Sequence, residues 1–279
     1  MTVGHALNQG KRLLFYAEVD TPMLDATVLL SEALETSKER LLASLPDPMD
    51  EEGLSRFRSF VDLRCAGLPV SYIRKKKEFF SLEFHVDERV LVPRPDTEIL
   101  VEEALRTLKA NPQAKRVHDA CTGSGCVAIA LKHGIPELKV SASDISVEAL
   151  QVAAHNARRL LPSARIRLYR SDLLAGIPGR YDLITANPPY LTDLEVENMR
   201  KVGWPEPELA LQGGVHGTDL LHRLIRHSPR KLHSDGYLLL EAASQQMPVL
   251  QRELADQGFK EITVTPDLAG RDRVIKARR

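Results

Sequence analysis

The segment from Arg116 to Asp144 constrains the fold most. Arg116 to Ala120 reads as a short buried strand, Cys121-Thr-Gly-Ser-Gly125 as a loop of small residues, Cys126 to His133 as the start of a helix, and Leu138 to Ser143 as a second strand ending at Asp144. Such a succession is the nucleotide-binding half of a doubly wound α/β sheet. The glycines let backbone N–H groups approach a ligand, and Asp144 can accept hydrogen bonds from both ribose hydroxyls. The pattern then repeats. Ser146 is a helix cap ahead of Ala149, Leu150, Ala153, Ala154, Ala157, Leu160 and Leu161, all expected to face inward. Arg165 to Tyr169, Tyr181 to Ala186, Gly236 to Ala242, Phe259 to Thr265 and Arg273 to Lys276 complete a predicted set of seven strands.

Two ligand classes fit that half-sheet. Gly123-Ser-Gly125-Cys-Val-Ala128 matches the G-x-G-x-x-A form of the dinucleotide fingerprint, so an NAD-linked oxidoreductase enters consideration. Asp119, just before the loop, favours the other class. A carboxylate there suits a cationic amino-acid tail and is poorly placed beside a pyrophosphate; S-adenosylmethionine carries such a tail and NAD does not. The competing reading of Asp119 is a residue that ties the loop to its own backbone. Asp172 follows the third strand, where it either meets an adenine amino group or caps a helix.

The chemistry is expected at Asp182-Leu-Ile-Thr-Ala-Asn-Pro-Pro-Tyr190. An apolar, β-prone run stops at a polar residue and two prolines, the pattern of a buried strand leading into a rigid loop. Pro188 and Pro189 fix their own φ and push the preceding residues out of the helical region, so the loop offers acceptors and few donors. The Asn187 carboxamide oxygen and the Pro188 carbonyl can take the two hydrogens of a planar NH₂ group, and Tyr190 adds an aromatic face. Amide and ring nitrogens are poor nucleophiles because their lone pair is conjugated. Two converging acceptors favour an electron distribution that exposes it, and orientation supplies much of the remainder. Asn187, Pro188 and Tyr190 are the catalytic candidates, with Pro189 joining them in substrate binding.

At 279 residues, with 43% hydrophobic and 27% charged content, the chain is long enough for two domains. Lys+Arg and Asp+Glu are equal at 38 each, so no net field draws it to nucleic acid or to a membrane surface. The absence of a leading apolar segment and of any run long enough to span a bilayer reads as cytoplasmic. Cys65, Cys121 and Cys126 are odd in number and lack zinc-type spacing, and the nine histidines are scattered, so neither a disulfide framework nor a metal site is expected. Cys121 and Cys126 read as small buried side chains rather than a redox pair.

Residues 1–74 read as a separate helical bundle. Thr21-Pro22 opens one helix, Ser37 a shorter one, and Leu54, Phe57, Val61 and Cys65 carry helical spacing up to Gly67 and Pro69. Residues 75–95 read as a β-hairpin linker: Phe80, Leu82, Phe84 and Val86 alternate with polar residues, with a turn expected at Asp87-Glu88 and a return strand at Val90-Leu-Val92. Residues 96–279 form the α/β domain, its first helix capped by Asp96 or Thr97. Arg94 and Asp96 are either a domain clasp or a wall of the site. The connection after Tyr190 to about residue 217 is long enough to be a substrate-binding lid.

Several segments together resemble one family. Leu-Pro-Val-Ser-Tyr-Ile73, Val-Leu-Val-Pro-Arg-Pro-Asp-Thr-Glu98, Asn-Pro-Pro-Tyr190, Glu206-Pro207 with Ala210-Leu211 and Gly213-Gly214, and Asp-Leu-Ala-Gly-Arg-Asp-Arg-Val274 stand where the release-factor glutamine N5-methyltransferases (the HemK or PrmC family) have them. The resemblance implies a Rossmann-like seven-stranded class I methyltransferase domain behind a helical bundle that binds peptide chain release factors. It implies that Cys121, Thr122, Gly123, Ser124, Gly125 and Asp144 hold S-adenosylmethionine, that Leu173 stands where some relatives place an aromatic against adenine, and that Asn187 to Tyr190 hold the substrate glutamine, with Asn187 touching both. Cys121 stands where that family usually has glycine, as in enzymes that methylate ribosomal protein L3; His118 and His216 are further departures. Two alternatives stand beside it: methylation of a glutamine of ribosomal protein L3, and methylation of a nucleic-acid amino group, which also uses Asn-Pro-Pro-Tyr and which the balanced charge argues against.

Overall fold

A computed structural model describes all 279 residues, which divide into two compact units. The first comprises Met1–Lys76 with Gly203–Pro205, the second Lys77–Val202 with Glu206–Arg279.

The first unit is helical: α1 (Val3–Tyr16), α2 (Pro22–Ala33), α3 (Lys38–Ala43), α4 (Glu51–Cys65) and α5 (Val70–Arg74). Thr2, Ser37 and Asp50 each accept an amide of the first turn that follows, so three helix starts are written in the sequence. Leu7, Leu14, Leu29, Leu30, Phe57 and Val61 form its apolar core. The buried Asp25 carboxylate takes the Arg64 guanidinium at 2.7 Å, fixing α2 against α4. Cys65, which continues the spacing of Leu54, Phe57 and Val61, is exposed.

The second unit opens on a hairpin, β1 (Lys76–Phe79) and β2 (Leu82–His85). A polar turn does form at Asp87-Glu88, closed by the Val90 amide on the Asp87 carbonyl at 3.1 Å, but it does not join the hairpin, and the expected return strand at Val90 to Val92 is absent. The hairpin turn lies at Phe80-Ser81, both at positive φ (50° and 59°), a conformation usually signalled by Asn-Gly and carried here by residues that give no such signal. The Asp87 side chain reinforces its own turn by accepting the Arg89 amide at 3.2 Å. The Val92 amide goes to the Glu206 carboxylate at 3.0 Å rather than to a ladder.

There follow α6 (Asp96–Ala110), β3 (Arg116–Ala120), α7 (Cys126–Gly134), β4 (Lys139–Asp144), α8 (Val147–Leu160), β5 (Arg167–Arg170), β6 (Tyr181–Ala186), α9 (Asp193–Lys201), α10 (Asp219–Lys231), β7 (Leu232–Glu241), α11 (Met247–Asp256), β8 (Lys260–Pro266) and β9 (Asp272–Arg278). Neither Asp96 nor Thr97 caps α6: Pro95 occupies that position without a side-chain bond, and both side chains are engaged elsewhere. The sheet has seven strands in the order β5-β4-β3-β6-β7-β9-β8, parallel except for β9. From β3 the chain moves outward through β4 to β5 and returns to β6 on the other side, so the switch point lies between the carboxyl ends of β3 and β6. That is where an open α/β sheet leaves a ligand crevice. No helix is long and apolar enough to cross a membrane.

Candidate active site

A cavity of about 320 Å³ opens at that switch point. Its β3 side is built by the glycine loop. The Thr122 amide donates to the Ser143 carbonyl at 3.0 Å and the Gly125 amide to the Thr122 carbonyl at 2.8 Å, which folds the loop back onto β4. Gly125 sits at φ 81°, where a Cβ would come within 3.2 Å of Ala153 on α8; left-handed backbone and close helix packing both require glycine. The Gly123 amide donates to Asp144 Oδ2 at 2.9 Å, and Asp144 Oδ1 accepts from the Ser146 amide at 3.0 Å. Each carboxylate oxygen is thus aimed by one backbone donor and retains acceptor capacity. Burial holds this carboxyl above its ordinary pKa.

Asp119 is 1% exposed, and no cation of the protein pairs with it. Its oxygens accept hydroxyls from Thr122 at 2.6 Å and Thr185 at 2.8 Å. Burial pushes its carboxyl up to about 7. A buried carboxylate lining a cavity and lacking a counter-ion is a site for a ligand cation.

On the β6 side, the Asn187 Nδ2 group donates to Thr97 Oγ1 at 3.1 Å, which leaves Oδ1 as its unspent acceptor. The Tyr190 hydroxyl donates to Glu241 Oε1 at 3.3 Å, and burial raises the phenol well above its ordinary range. Gln246 Nε2 donates to the Tyr190 carbonyl at 2.9 Å. A Cβ on Gly213 would stand 2.8 Å from the Pro189 carbonyl oxygen, so the Gly213-Gly214 segment packs directly beneath the proline loop.

Asp119, Cys121, Thr122, Gly123, Ser124, Asp144, Asp172, Leu173, Asn187 and Pro189 all border the cavity; Gly125, Pro188 and Tyr190 do not line it. Asp172 does not cap a helix but pairs with Arg223 of α10 at 2.5 Å. Cys121 adopts φ 56° and Leu173 φ 51°. Both neighbouring thiols stay protonated, Cys126 being pushed up to about 12 by burial. Arg94 borders the cavity and is bound to the buried Glu206 carboxylate, so it is a wall of the site latched to the segment after α9. Asp96 pairs with Arg273 at 3.1 Å.

Residues 5–74 match the family described as PrmC N-terminal domain, and residues 96–202 match the methyltransferase small domain. The release factor glutamine methyltransferase of Moorella thermoacetica is 38% identical over 281 residues, covering 100% of this chain and 99% of its own. That of Cereibacter sphaeroides is 38% identical over 279 residues, with the same coverage of 100% and 99%.

The chain belongs to the release factor glutamine methyltransferase family.

Among solved structures, the ribosomal protein L11 methylase of Lactobacillus delbrueckii subsp. bulgaricus superposes with a TM-score of 0.50 at 25% identity, over 70% of this chain and 85% of that one. Within the glutamine methyltransferase family, the His118 departure has a structural explanation. Its ring nitrogens face the hydroxyls of Ser141 and Ser143, each at 2.9 Å, and Ser143 also donates to the Leu173 carbonyl at 3.2 Å. Three polar residues on two paired strands therefore satisfy one another and tie the Leu173 turn to the sheet. Burial lowers the imidazole to about 3. The unfolded histidine takes up a proton below about 6.5 and the folded one does not, so the stability His118 confers is complete above pH 6.5 and is lost as pH falls toward 3. The stability difference between the parent and His118→Gln is expected to shrink by about 1 kcal/mol per pH unit from pH 6 to pH 4 in urea titrations. A difference that is flat with pH would contradict a neutral buried ring.

Four contributors to the site escaped the sequence reading: Thr97, Asn156, Glu241 and Gln246. Asn156, wholly buried on α8, accepts the His85 amide at 2.8 Å and donates to the carbonyls of His85 at 2.9 Å and Ser124 at 3.0 Å. It joins the hairpin to the glycine loop. An amide among the alanines of an otherwise apolar helix face was the available signal. Asn156→Ala should cost about 3 kcal/mol, because it strands buried backbone groups; urea denaturation measures this.

Proposed function

We propose that this chain transfers a methyl group from S-adenosylmethionine to the side-chain amide nitrogen (N5) of the glutamine in the Gly-Gly-Gln motif of bacterial peptide chain release factors, modulating translation termination in the cytoplasm. The observation that carries the reading is the orientation of Asn187: its NH₂ donates to Thr97, which leaves Oδ1 free to accept, and the residue borders the cavity.

The residues present fit the donor. Asp119, buried without a counter-ion, suits its ammonium group, and Asp144, aimed by two backbone amides, suits the ribose hydroxyls. When bound there, S-adenosylmethionine supplies a methyl group on a sulfonium, an electrophile needing no metal. Asn187 Oδ1 and the Pro188 carbonyl then take the two hydrogens of the glutamine amide, favouring the electron distribution in which the nitrogen lone pair is exposed. Tyr190, fixed through Glu241, backs the loop. Positioning of this kind is worth roughly 7–11 kcal/mol of barrier. No dedicated base is required, since the methylated amide nitrogen is acidic enough to lose its proton to water.

Residues 1–74 serve as the release-factor docking domain, 75–95 as linker and 96–279 as the methyltransferase domain in this reading. Matches to both family descriptions and full-length relatives of that name support it. The test is transfer of a labelled methyl group to purified release factor, ribosomal protein L3 and ribosomal RNA in parallel, with peptide mass mapping. Label on the Gly-Gly-Gln glutamine is expected; label confined to L3 or RNA would reassign the substrate.

A further inference from the structure

The exposed large apolar side chains of the second unit all lie in connections that leave the carboxyl end of a strand. Ile145 and Val147 follow β4, Leu209 and three others follow β6, Val249 follows β7, and Leu268 forms the turn after β8. These four strands run in one direction, so the connections emerge at the same edge of the sheet as Asn187. Those at the opposite edge expose none. Two of these residues are presented by fixed turns. Leu268 is fully exposed, yet the turn beneath it is built on the buried Asp267 carboxylate, which accepts the amides of Ala269 and Arg271, each at 2.9 Å, and the Arg271 guanidinium at 2.9 Å. Leu209, 57% exposed, borders the cavity from a 3-10 turn over Glu208–Ala210, and the buried Glu206 just before that turn holds the Val92 amide at 3.0 Å.

We propose that this rim is a protein-docking surface with Leu209 and Leu268 as its apolar anchors, and that its occupant is an apolar surface of the release-factor domain that carries the Gly-Gly-Gln motif. The inference rests on the glutamine methyltransferase reading and deepens it. Exposed apolar surface gathered on one side of a domain marks an interaction face, and burying leucine against an apolar partner is favourable. Charge argues against a phosphate-rich partner. Nucleic acid is held by cations that are free to meet phosphates, whereas Arg94, Arg223, Arg271 and Arg273, all on this side, are each paired with a carboxylate of the chain. The placement suits the reaction. Asp267 accepts Arg273 at 3.3 Å, Arg273 pairs with Asp96 at 3.1 Å, and the next residue, Thr97, holds Asn187, so the Leu268 turn is tied to the element that fixes the catalytic carboxamide. Leu209, exposed and lining the cavity, stands at its mouth. A Gly-Gly segment carries no Cβ, so its main chain can pass closely over Leu209 while the glutamine enters.

The experiment compares Leu268→Asp, Leu209→Asp, the double variant and Leu268→Met in the full chain. It reads KM and kcat on purified release factor, donor Kd by calorimetry, and urea unfolding. Leu268→Asp and Leu209→Asp are each expected to raise KM for the release factor about tenfold, with kcat at saturation and donor Kd within about threefold of the parent. The double variant should lose more than either, because the two turns are held by separate contacts. Leu268→Met, which keeps an apolar side chain of similar size, should match the parent. Urea midpoints should not move, since both leucines are exposed. A KM within about twofold of the parent in the double variant, an equal loss in Leu268→Met, or a fall in kcat at unchanged KM would each overturn the assignment. If the parent labels L3 instead of a release factor, the functional reading fails by itself, and KM on that protein still decides the role of the rim. Label on RNA alone, with KM indifferent to both leucines, would sink the rim as well.

Discussion

Asn187→Ala should lower methyl transfer at least about a thousandfold while the donor still binds. The carboxamide is held by Thr97 at 3.1 Å with its oxygen unspent, and the two prolines after it leave the loop with few donors of its own. Removing that oxygen removes half of the acceptor pair that holds the substrate amide planar and turned toward the electrophile. Asn187 also borders the donor cavity, so a modest weakening of donor affinity is expected, within about tenfold. Asn187→Gln should be nearly as damaging, because an extra methylene carries the same oxygen out of position. Single-turnover transfer to release factor, paired with calorimetry of donor binding, separates the two effects. Turnover within a few fold of the parent in Asn187→Ala would sink the site assignment.

Asp119→Asn should have the opposite signature, a donor affinity reduced about a hundredfold or more with the substrate side intact. The carboxylate has no cation of its own, and both oxygens are already oriented by threonine hydroxyls. Because its folded carboxyl titrates near 7, well above the ordinary value, the parent's donor affinity should fall as pH drops below 7, where binding must first displace a proton. That limb should vanish in the variant. Stability should move the other way. Above pH 7 the folded parent carries an uncompensated buried charge that the unfolded chain does not, so Asp119→Asn should be more stable without donor at pH 8, with the gain disappearing toward pH 4. Asp144→Ala should also weaken the donor, but should keep the fall in affinity below pH 7, because Asp119 is still in place. Donor affinity in Asp119→Asn equal to the parent's would leave Asp119 as a residue that only ties down its own loop.

The hairpin shows where local rules stop. Alternation in Phe80, Leu82, Phe84 and Val86 correctly marked β structure, but the turn was sought among polar residues. It lies at Phe80 and Ser81, which are held at positive φ by the strands on either side. The α6 cap failed for a related reason: Asp96 and Thr97 have the right chemistry for capping, but Arg273 takes the one and the site takes the other. His118 looked out of place on a buried strand until Ser141 and Ser143 on the neighbouring strand supplied its partners.

Strand, glycine loop, helix and acidic strand end, the seven-strand count and the rigid Asn187 to Tyr190 loop were all determined by the sequence itself. Each rests on sterics or periodicity acting over a few residues: proline fixing φ, glycine admitting a left-handed turn, apolar spacing of two or of about three and a half. Only the tertiary structure decided that Thr97 meets Asn187 across 90 residues, that Asn156 meets His85 across 71, and that Tyr190 meets Glu241 across 51. Those contacts depend on how strand ends and helix starts converge at the switch point, and a buried polar side chain carries no local mark of the partner it will satisfy.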